Sequence, residues 1–294
     1  MRFLPALIFM LHCLSPATAG AQELRLNRGI MATASYPAGE GPFPALLMLH
    51  GLGSSRDEAG NLFADAAEAL AEAGYASLRI DFRGFGQSPG DTGAFTLTRQ
   101  LEDAQIALQA LAGLKDIDAA RIGVIGFSFG AGAAIELAAA EPGRVKALAL
   151  WAPVGDYHQD LLESFGPLVF ERAQSDGIAA VDLGWRSLAF RKAFFDGLRG
   201  PDLPALLQGF GGSVLLVNGA QDPYLRYAPA YSAPAAGQRH QLILEGADHL
   251  FNAYKAGSSR VPEVIAASRD HFDRAFGLAP PAPVSPSPQN SASP

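Results

Sequence analysis

Six short stretches of the chain are apolar at nearly every position and are bounded by turn residues: Ala45–His50, Ala76–Phe82, Arg121–Phe127, Val145–Pro153, Ser213–Gly219 and His240–Gly246. Each has strand length, and continuous apolarity marks strands covered on both faces, as in parallel sheets. Helical spacing fills the intervals. Asp57–Ala73 places Leu62, Ala66, Ala69 and Leu70 on one side, and Leu97–Leu114 repeats Leu101, Ala104, Ile106, Leu108 and Leu111. Phe129–Ala140 and Val261–Phe276 complete the set. This alternation predicts an α/β fold, a doubly wound and mostly parallel sheet with helices on both faces. Glu23–Ala38 is expected to add antiparallel strands at its beginning.

One interval breaks the rhythm. About 154–212 shows no clear βα unit, and so long a gap in a compact domain is usually functional. It holds Phe165, Phe170, Trp185, Phe190, Phe194, Phe195 and Phe210. These rings either form the core of a small helical subdomain or belong to a cap over a pocket. Phe165 and Trp185 are the candidate substrate contacts.

The two ends read differently from the middle. Residues 1–21 carry an early Arg2, a short apolar run and then small residues, the pattern of a secretory signal peptide. Ala19-Gly20-Ala21 predicts cleavage before Gln22, and Ala17-Thr18-Ala19 is the alternative. Phe3–Leu14 is too short to span a bilayer, so no stable membrane insertion is expected after cleavage. Processing would remove the single cysteine, Cys13, and leave a thiol-free protein suited to a periplasmic or secreted location. A lipidation reading of Cys13 is weakened by His12 before it. Residues 279–294 are rich in Pro and Ser and too poor in apolar groups to fold, so a disordered tail is expected. The domain proper is then 22–278.

Composition narrows the chemistry. Of 294 residues 49% are hydrophobic and 17% charged, suited to one large domain. The net charge of −7 argues against nucleic acid or anionic lipid as partner. One cysteine excludes an internal disulfide framework, and no His or carboxylate spacing suggests a metal.

Gly126-Phe127-Ser128-Phe129-Gly130 fits G-x-S-x-G, and its position matters more than the match. It follows the apolar run Ile122–Ile125 and opens an Ala-rich helix, the strand-turn-helix context of a nucleophile elbow. The helix behind Ser128 would point its first amides and its dipole at the site.

With these residues the chain resembles the α/β-hydrolase family over Glu23 to about Leu278. Its finer features, Asp81-Phe82-Arg83-Gly84-Phe85-Gly86-Gln87-Ser88 and the His50-Gly51-Leu52-Gly53-Ser54-Ser55 loop, resemble the branch of feruloyl or cinnamoyl esterases and serine aminopeptidase-like or monoglyceride lipase-like hydrolases. The resemblance implies an α/β-hydrolase fold with an inserted cap, and a triad in the order Ser128, Asp222, His249. It also implies an oxyanion hole from the backbone amides of Leu52 and Phe129, and no cofactor. Asp248 adjoins His249, but side chains of chain neighbours diverge, so Asp222 is the expected acid. Two departures stand out: Phe127 where many members carry His, and Asp222-Pro223-Tyr224 in place of the usual Val-Pro after the acid. Asp81 and Arg83 are expected to form an ion pair that braces the glycine-rich loop. His50 is expected to brace the oxyanion loop, with His158, His240 and His271 as surface or local partners.

These features predict a serine esterase acting on small or aromatic acyl esters, with a small-molecule substrate as its partner and its oligomeric state open. A lipase would need a wider aliphatic surface than this insert offers. An aminopeptidase would need cap acids for a free amine, with Glu163, Glu171, Asp176 and Asp182 as candidates. A non-catalytic binding module would be expected to have lost part of the triad.

Overall fold

The computed structural model describes residues 20–278. The expected leader up to Ala19 and the Pro/Ser-rich segment from 279 lie outside the described residues. Ten strands are β1 (Gly20–Arg25), β2 (Met31–Tyr36), β3 (Phe43–Leu49), β4 (Ala76–Ile80), β5 (Ile117–Phe127), β6 (Ala147–Trp151), β7 (Ile178–Asp182), β8 (Ser187–Arg191), β9 (Ser213–Gly219) and β10 (Arg239–Leu244). Helices are α1 (Leu62–Glu72), α2 (Leu97–Gly113), α3 (Phe129–Ala140), α4 (Tyr157–Phe165), α5 (Pro167–Asp176), α6 (Lys192–Gly197), α7 (Leu203–Gln208), α8 (Ala228–Tyr231) and α9 (Val261–Phe276).

Eight strands form one sheet in the order β1-β2-β4-β3-β5-β6-β9-β10. β2 runs antiparallel to both neighbours, and from β4 onward every pairing is parallel. Leu46, Leu47, Met48 and Leu49 of β3 are fully buried, as are Leu148, Leu150 and Trp151 of β6. Continuous apolarity in these strands follows from burial on both faces. One face packs against α1 and α9 through Phe63, Leu70, Val264 and Phe272. The other packs against α2 and α3 through Leu108, Leu111, Ile135 and Leu137. α3 is buried nearly all round, which explains its run of Ala and Gly.

Between β6 and β9 the chain inserts α4, α5, a β7–β8 hairpin, α6 and α7. The hairpin escaped the strand pattern above because β7 and β8 are one-sided and short. Each alternates exposed and buried residues, with Ala179, Val181, Leu188 and Phe190 facing inward. Most of the insert's aromatics are core. Phe190 and Phe194 stack at 4.3 Å, Phe194 lies 5.9 Å from Phe95, and Phe195 and Phe210 are also buried. The helical-subdomain reading therefore accounts for these rings, while Trp185 stays 62% exposed.

Candidate active site

Ser128 sits between β5 and α3 at φ 53° and ψ −116°, a left-handed backbone that costs free energy in a non-glycine residue. Neighbouring strands hold it there: its N–H donates to the Trp151 carbonyl at 2.8 Å. The flanking glycines are required by close approach. A Cβ on Gly126 would meet the Gly130 carbonyl at 2.5 Å, and one on Gly130 would collide with the Leu49 and His50 carbonyls at the end of β3. G-x-S-x-G is thus the imprint of a turn pressed between two strands and a helix.

The loops after β9 and β10 meet this turn. His249 Nε2 lies 3.0 Å from Ser128 Oγ, and His249 Nδ1 lies 3.1 Å from Asp222 Oδ1. The tautomer with hydrogen on Nδ1 satisfies both contacts: Nδ1–H donates to the carboxylate, and Nε2 accepts from the serine hydroxyl. Asp222 is buried, and its carboxylate also accepts from Asn218 Nδ2 at 3.2 Å and from the Tyr224 N–H at 3.0 Å. The imidazole is flanked by Phe127 and Tyr224, each ring centred 5.1 Å from it. These are the two positions at which the chain departs from the family pattern. Asp248 points elsewhere, to the backbone N–H groups of Leu250 and Asn252 and to Lys255. Burial alone would raise its pKa, but those hydrogen bonds and the ammonium hold it below the ordinary carboxylate range.

Beside the serine, Gly51–Ser54 form a tight turn closed by Ser54 N–H on the Gly51 carbonyl at 3.2 Å. Gly53 adopts φ +78°, and an added Cβ there would strike Leu183 of the insert. Leu52 occupies a central position of the turn, where the N–H is not used internally. Among the described residues neither the Leu52 nor the Phe129 N–H is taken by a protein acceptor. His50 is buried and braces the turn, as expected. Its Nδ1 lies 2.8 Å from the Gly51 carbonyl and its Nε2 accepts from the Phe82 N–H at 3.1 Å. Burial lowers the pKa of this imidazole and keeps it neutral. Glu58, which carried no sequence motif, accepts from the Gly51 N–H at 2.6 Å.

The expected Asp81–Arg83 ion pair does not form. Asp81 is fully buried and pairs with Arg56, taking its Nη1 and its backbone N–H at 2.6 Å each, and also accepts from the Gln87 N–H. Arg83 pairs instead with the buried Asp103 and with Glu102, both on α2. Asp81 stands just past β4 and Arg83 enters the turn that follows, so the backbone bends between them and each side chain meets a different partner. Asp81 does brace the glycine-rich loop, with a partner 25 residues upstream.

Trp185 lies in the turn between β7 and β8. Its Cζ2 stands 3.6 Å from where a Cβ of Gly53 would be, which puts this exposed ring beside the Gly51–Ser54 turn. Phe165 ends α4 and is half-buried against the larger core. Among the described residues no cluster of His, Cys, Asp and Glu could hold a metal ion, and no helix is long and apolar enough to cross a membrane.

Residues 41–176 match the family model described as serine aminopeptidase, S33. The uncharacterized 31.7 kDa protein in the traX-finO intergenic region of Escherichia coli is 35% identical over 124 residues, 42% of each chain. Esterase FrsA of Klebsiella pneumoniae subsp. pneumoniae is 39% identical over 119 residues, 40% of this chain and 27% of that protein. The chain thus spans less than half the length of these curated relatives. In three dimensions it is similar to Est1E from Butyrivibrio proteoclasticus, solved with ferulic acid bound, at a TM-score of 0.71 and 19% identity, covering 87% of this chain and 99% of that one. It is also similar to the alpha/beta hydrolase GrgF from Penicillium sp. sh18, at a TM-score of 0.68 and 18% identity, covering 89% and 100%. Sheet order, elbow and neighbours agree: the chain has the α/β-hydrolase fold, with residues 41–176 similar to serine aminopeptidases.

Proposed function

We propose that the protein is a serine hydrolase of carboxylic esters, with Ser128 as nucleophile, His249 as general base and acid, and Asp222 as the group that orients the imidazole. The carrying observation is the relay from Ser128 Oγ to His249 Nε2 at 3.0 Å and from His249 Nδ1 to Asp222 at 3.1 Å. Ser128 Oγ attacks the acyl carbon as its proton passes to Nε2, and the resulting imidazolium is stabilised by the Asp222 carboxylate. The Leu52 and Phe129 N–H groups receive the developing oxyanion. His249 returns the proton to the leaving alcohol. A water deprotonated by His249 then cleaves the acyl-enzyme, and no cofactor takes part.

Ester rather than peptide cleavage is supported by the relatives named esterase FrsA, and by the state of the acids an aminopeptidase would use. Glu163 is held by Arg226 and Gln159, Asp182 accepts from the Gly184 N–H within its own turn, and Asp176 accepts from Ser175. Glu171 lines a separate groove with His158 and Phe170. The likeness to a structure holding ferulic acid supports small or aromatic acyl groups, with Trp185 as the ring that meets them.

The test is labelling with a fluorophosphonate probe. Wild-type protein takes up one probe at Ser128 and Ser128→Ala takes up none, with turnover of p-nitrophenyl acetate falling by on the order of 10⁶. A folded wild type that neither labels nor turns over would leave a non-catalytic scaffold.

The leader assigns the mature protein to the periplasm or the exterior. Gly20 and Ala21 pair with Tyr36 and Ser35 in β1–β2, which favours cleavage after Ala19, since a cut before Gln22 would remove two strand residues. N-terminal sequencing of exported protein decides between the two sites.

A further inference from the structure

We propose that Arg186 is a positioning residue that fastens the inserted hairpin to the oxyanion turn and so sets the aim of the Leu52 N–H. This rests on the reading of Leu52 as an oxyanion donor. Arg186 lies at the end of the β7–β8 turn, and its Nη1 donates to the Gly53 carbonyl at 2.9 Å across 133 residues of sequence.

Four contacts hold the turn that carries Leu52. Glu58 takes the Gly51 N–H, while His50 and the Ser54 N–H take the Gly51 carbonyl. All three come from within the loop or its flanks. They hold the turn from within, and among the described residues the hydrogen bond that reaches the Leu52–Gly53–Ser54 limb from outside the loop is the one from Arg186 to the Gly53 carbonyl. Gly53 adopts φ +78° and has no side chain of its own, so beyond the Ser54 bond that closes the turn its position rests on the Arg186 tie and on the packing of the hairpin against it.

The hairpin end is itself stiff enough to serve as an anchor. Leu183 N–H donates to the Arg186 carbonyl at 3.0 Å, and Gly184 N–H donates to Asp182 at 2.9 Å. Leu183 and Leu188 pack on Gly53 from above, and the Arg186 guanidinium lies 5.6 Å from the centre of the Trp185 ring. An exposed arginine whose acceptor is a carbonyl rather than a carboxylate adds little to global stability. Its effect is local and directional.

An oxyanion donor acts when the carbonyl oxygen acquires charge, so loosening it lowers kcat and leaves KM nearly unchanged. The substrate for the test is p-nitrophenyl acetate, whose acyl group is too small to require a contact with Trp185. Arg186→Met keeps the aliphatic stem over the indole and removes the donors. It is expected to lower kcat about tenfold, short of the roughly 10²–10³ lost when an oxyanion donor is deleted. KM stays within about twofold and the melting temperature is unchanged, while Arg186→Lys recovers part of kcat.

The Ser54 amide, which closes the turn, is the second readout. By hydrogen exchange it opens faster in Arg186→Met than in wild type. Unchanged kcat together with unchanged Ser54 exchange overturns the proposal. A change confined to KM for bulkier or anionic acyl esters also overturns it, since Arg186 would then be touching substrate. A wild type that is inactive toward both ester and fluorophosphonate overturns the esterase reading instead, and Ser54 exchange still decides whether Arg186 holds the turn.

Discussion

Asp222 reaches His249 from 27 residues away in the chain, with Oδ1 3.1 Å from Nδ1, and the same oxygen accepts the Tyr224 N–H at 3.0 Å. The backbone of its own loop therefore aims the carboxylate at the imidazole. Its sequence rival Asp248 spends its oxygens on the N–H groups of Leu250 and Asn252 and on Lys255. Asp222→Asn is expected to cost about 10⁴ in kcat, as control of the His249 tautomer is lost. Asp248→Asn should cost less than about tenfold, since it touches no reacting group. Steady-state kinetics on p-nitrophenyl acetate ranks the two, and the reverse ranking would reassign the acid.

Arg56 and Asp81 are both buried, and Arg56 Nη1 is the cation in direct contact with the carboxylate, at 2.6 Å. Arg56→Met should destabilise the fold by about 3–5 kcal/mol, because a carboxylate is left uncompensated in the interior. The exposed pair Lys192–Asp196 offers the contrast: Lys192→Ala should change stability by less than about 0.5 kcal/mol. Urea denaturation at neutral pH measures both. Equal effects would mean that water reaches Asp81.

His271, expected at the surface or with a local partner, is fully buried in α9 with no hydrogen bond to either nitrogen. The Ser213 and Leu148 backbone groups lie near the ring but outside hydrogen-bond geometry. Burial, reinforced by His240 and Arg274, pushes the imidazole down to about 4 from its ordinary 6.5. Because the folded pKa is the lower one, the unfolded chain binds the proton first. Stability is therefore full above about pH 6.5 and declines as pH falls toward 4, by up to about 3 kcal/mol. His271→Phe should remove this part of the slope. Denaturation midpoints at pH 7 and pH 4.5 provide the check, and equal slopes in the two proteins would exclude His271 as the cause.

Substrate preference follows from how few aromatics of the insert remain free. Phe190, Phe194 and Phe195 are buried in a core, whereas Trp185 is exposed and offers one flat ring beside Gly53. Methyl cinnamates and short p-nitrophenyl esters should be turned over faster than emulsified triolein. Trp185→Ala should raise KM for the cinnamate about threefold to tenfold and leave the acetate unchanged, the scale of one aromatic contact. Best activity on triolein, with activation at the oil interface, would make the insert a lipase lid.

The sequence by itself determined the parts of this protein that are written locally. Ser128, Asp222 and His249 each stand just past an apolar strand, in a short pattern whose glycines or turn residues record the backbone they need. The parallel sheet was readable for the same reason: strands covered on both faces must be apolar at consecutive positions. Antiparallel β1 and β2 fell near the expected Glu23–Ala38. The β7–β8 hairpin was present as a two-residue alternation around Gly184, too short to stand out among seven aromatic residues.

Tertiary structure alone decided which groups meet across the layers. Asp81 pairs with Arg56 rather than with Arg83, two residues away, because the chain turns after β4 and packing brings the Arg56 loop to one side chain and α2 to the other. Whether a phenylalanine of the insert lines a pocket or fills a core depends on what packs against it, and hydrophobicity is the same in either case. The tie from Arg186 to the Gly53 carbonyl ends on a backbone atom that every residue possesses, so no residue type in the sequence could announce it.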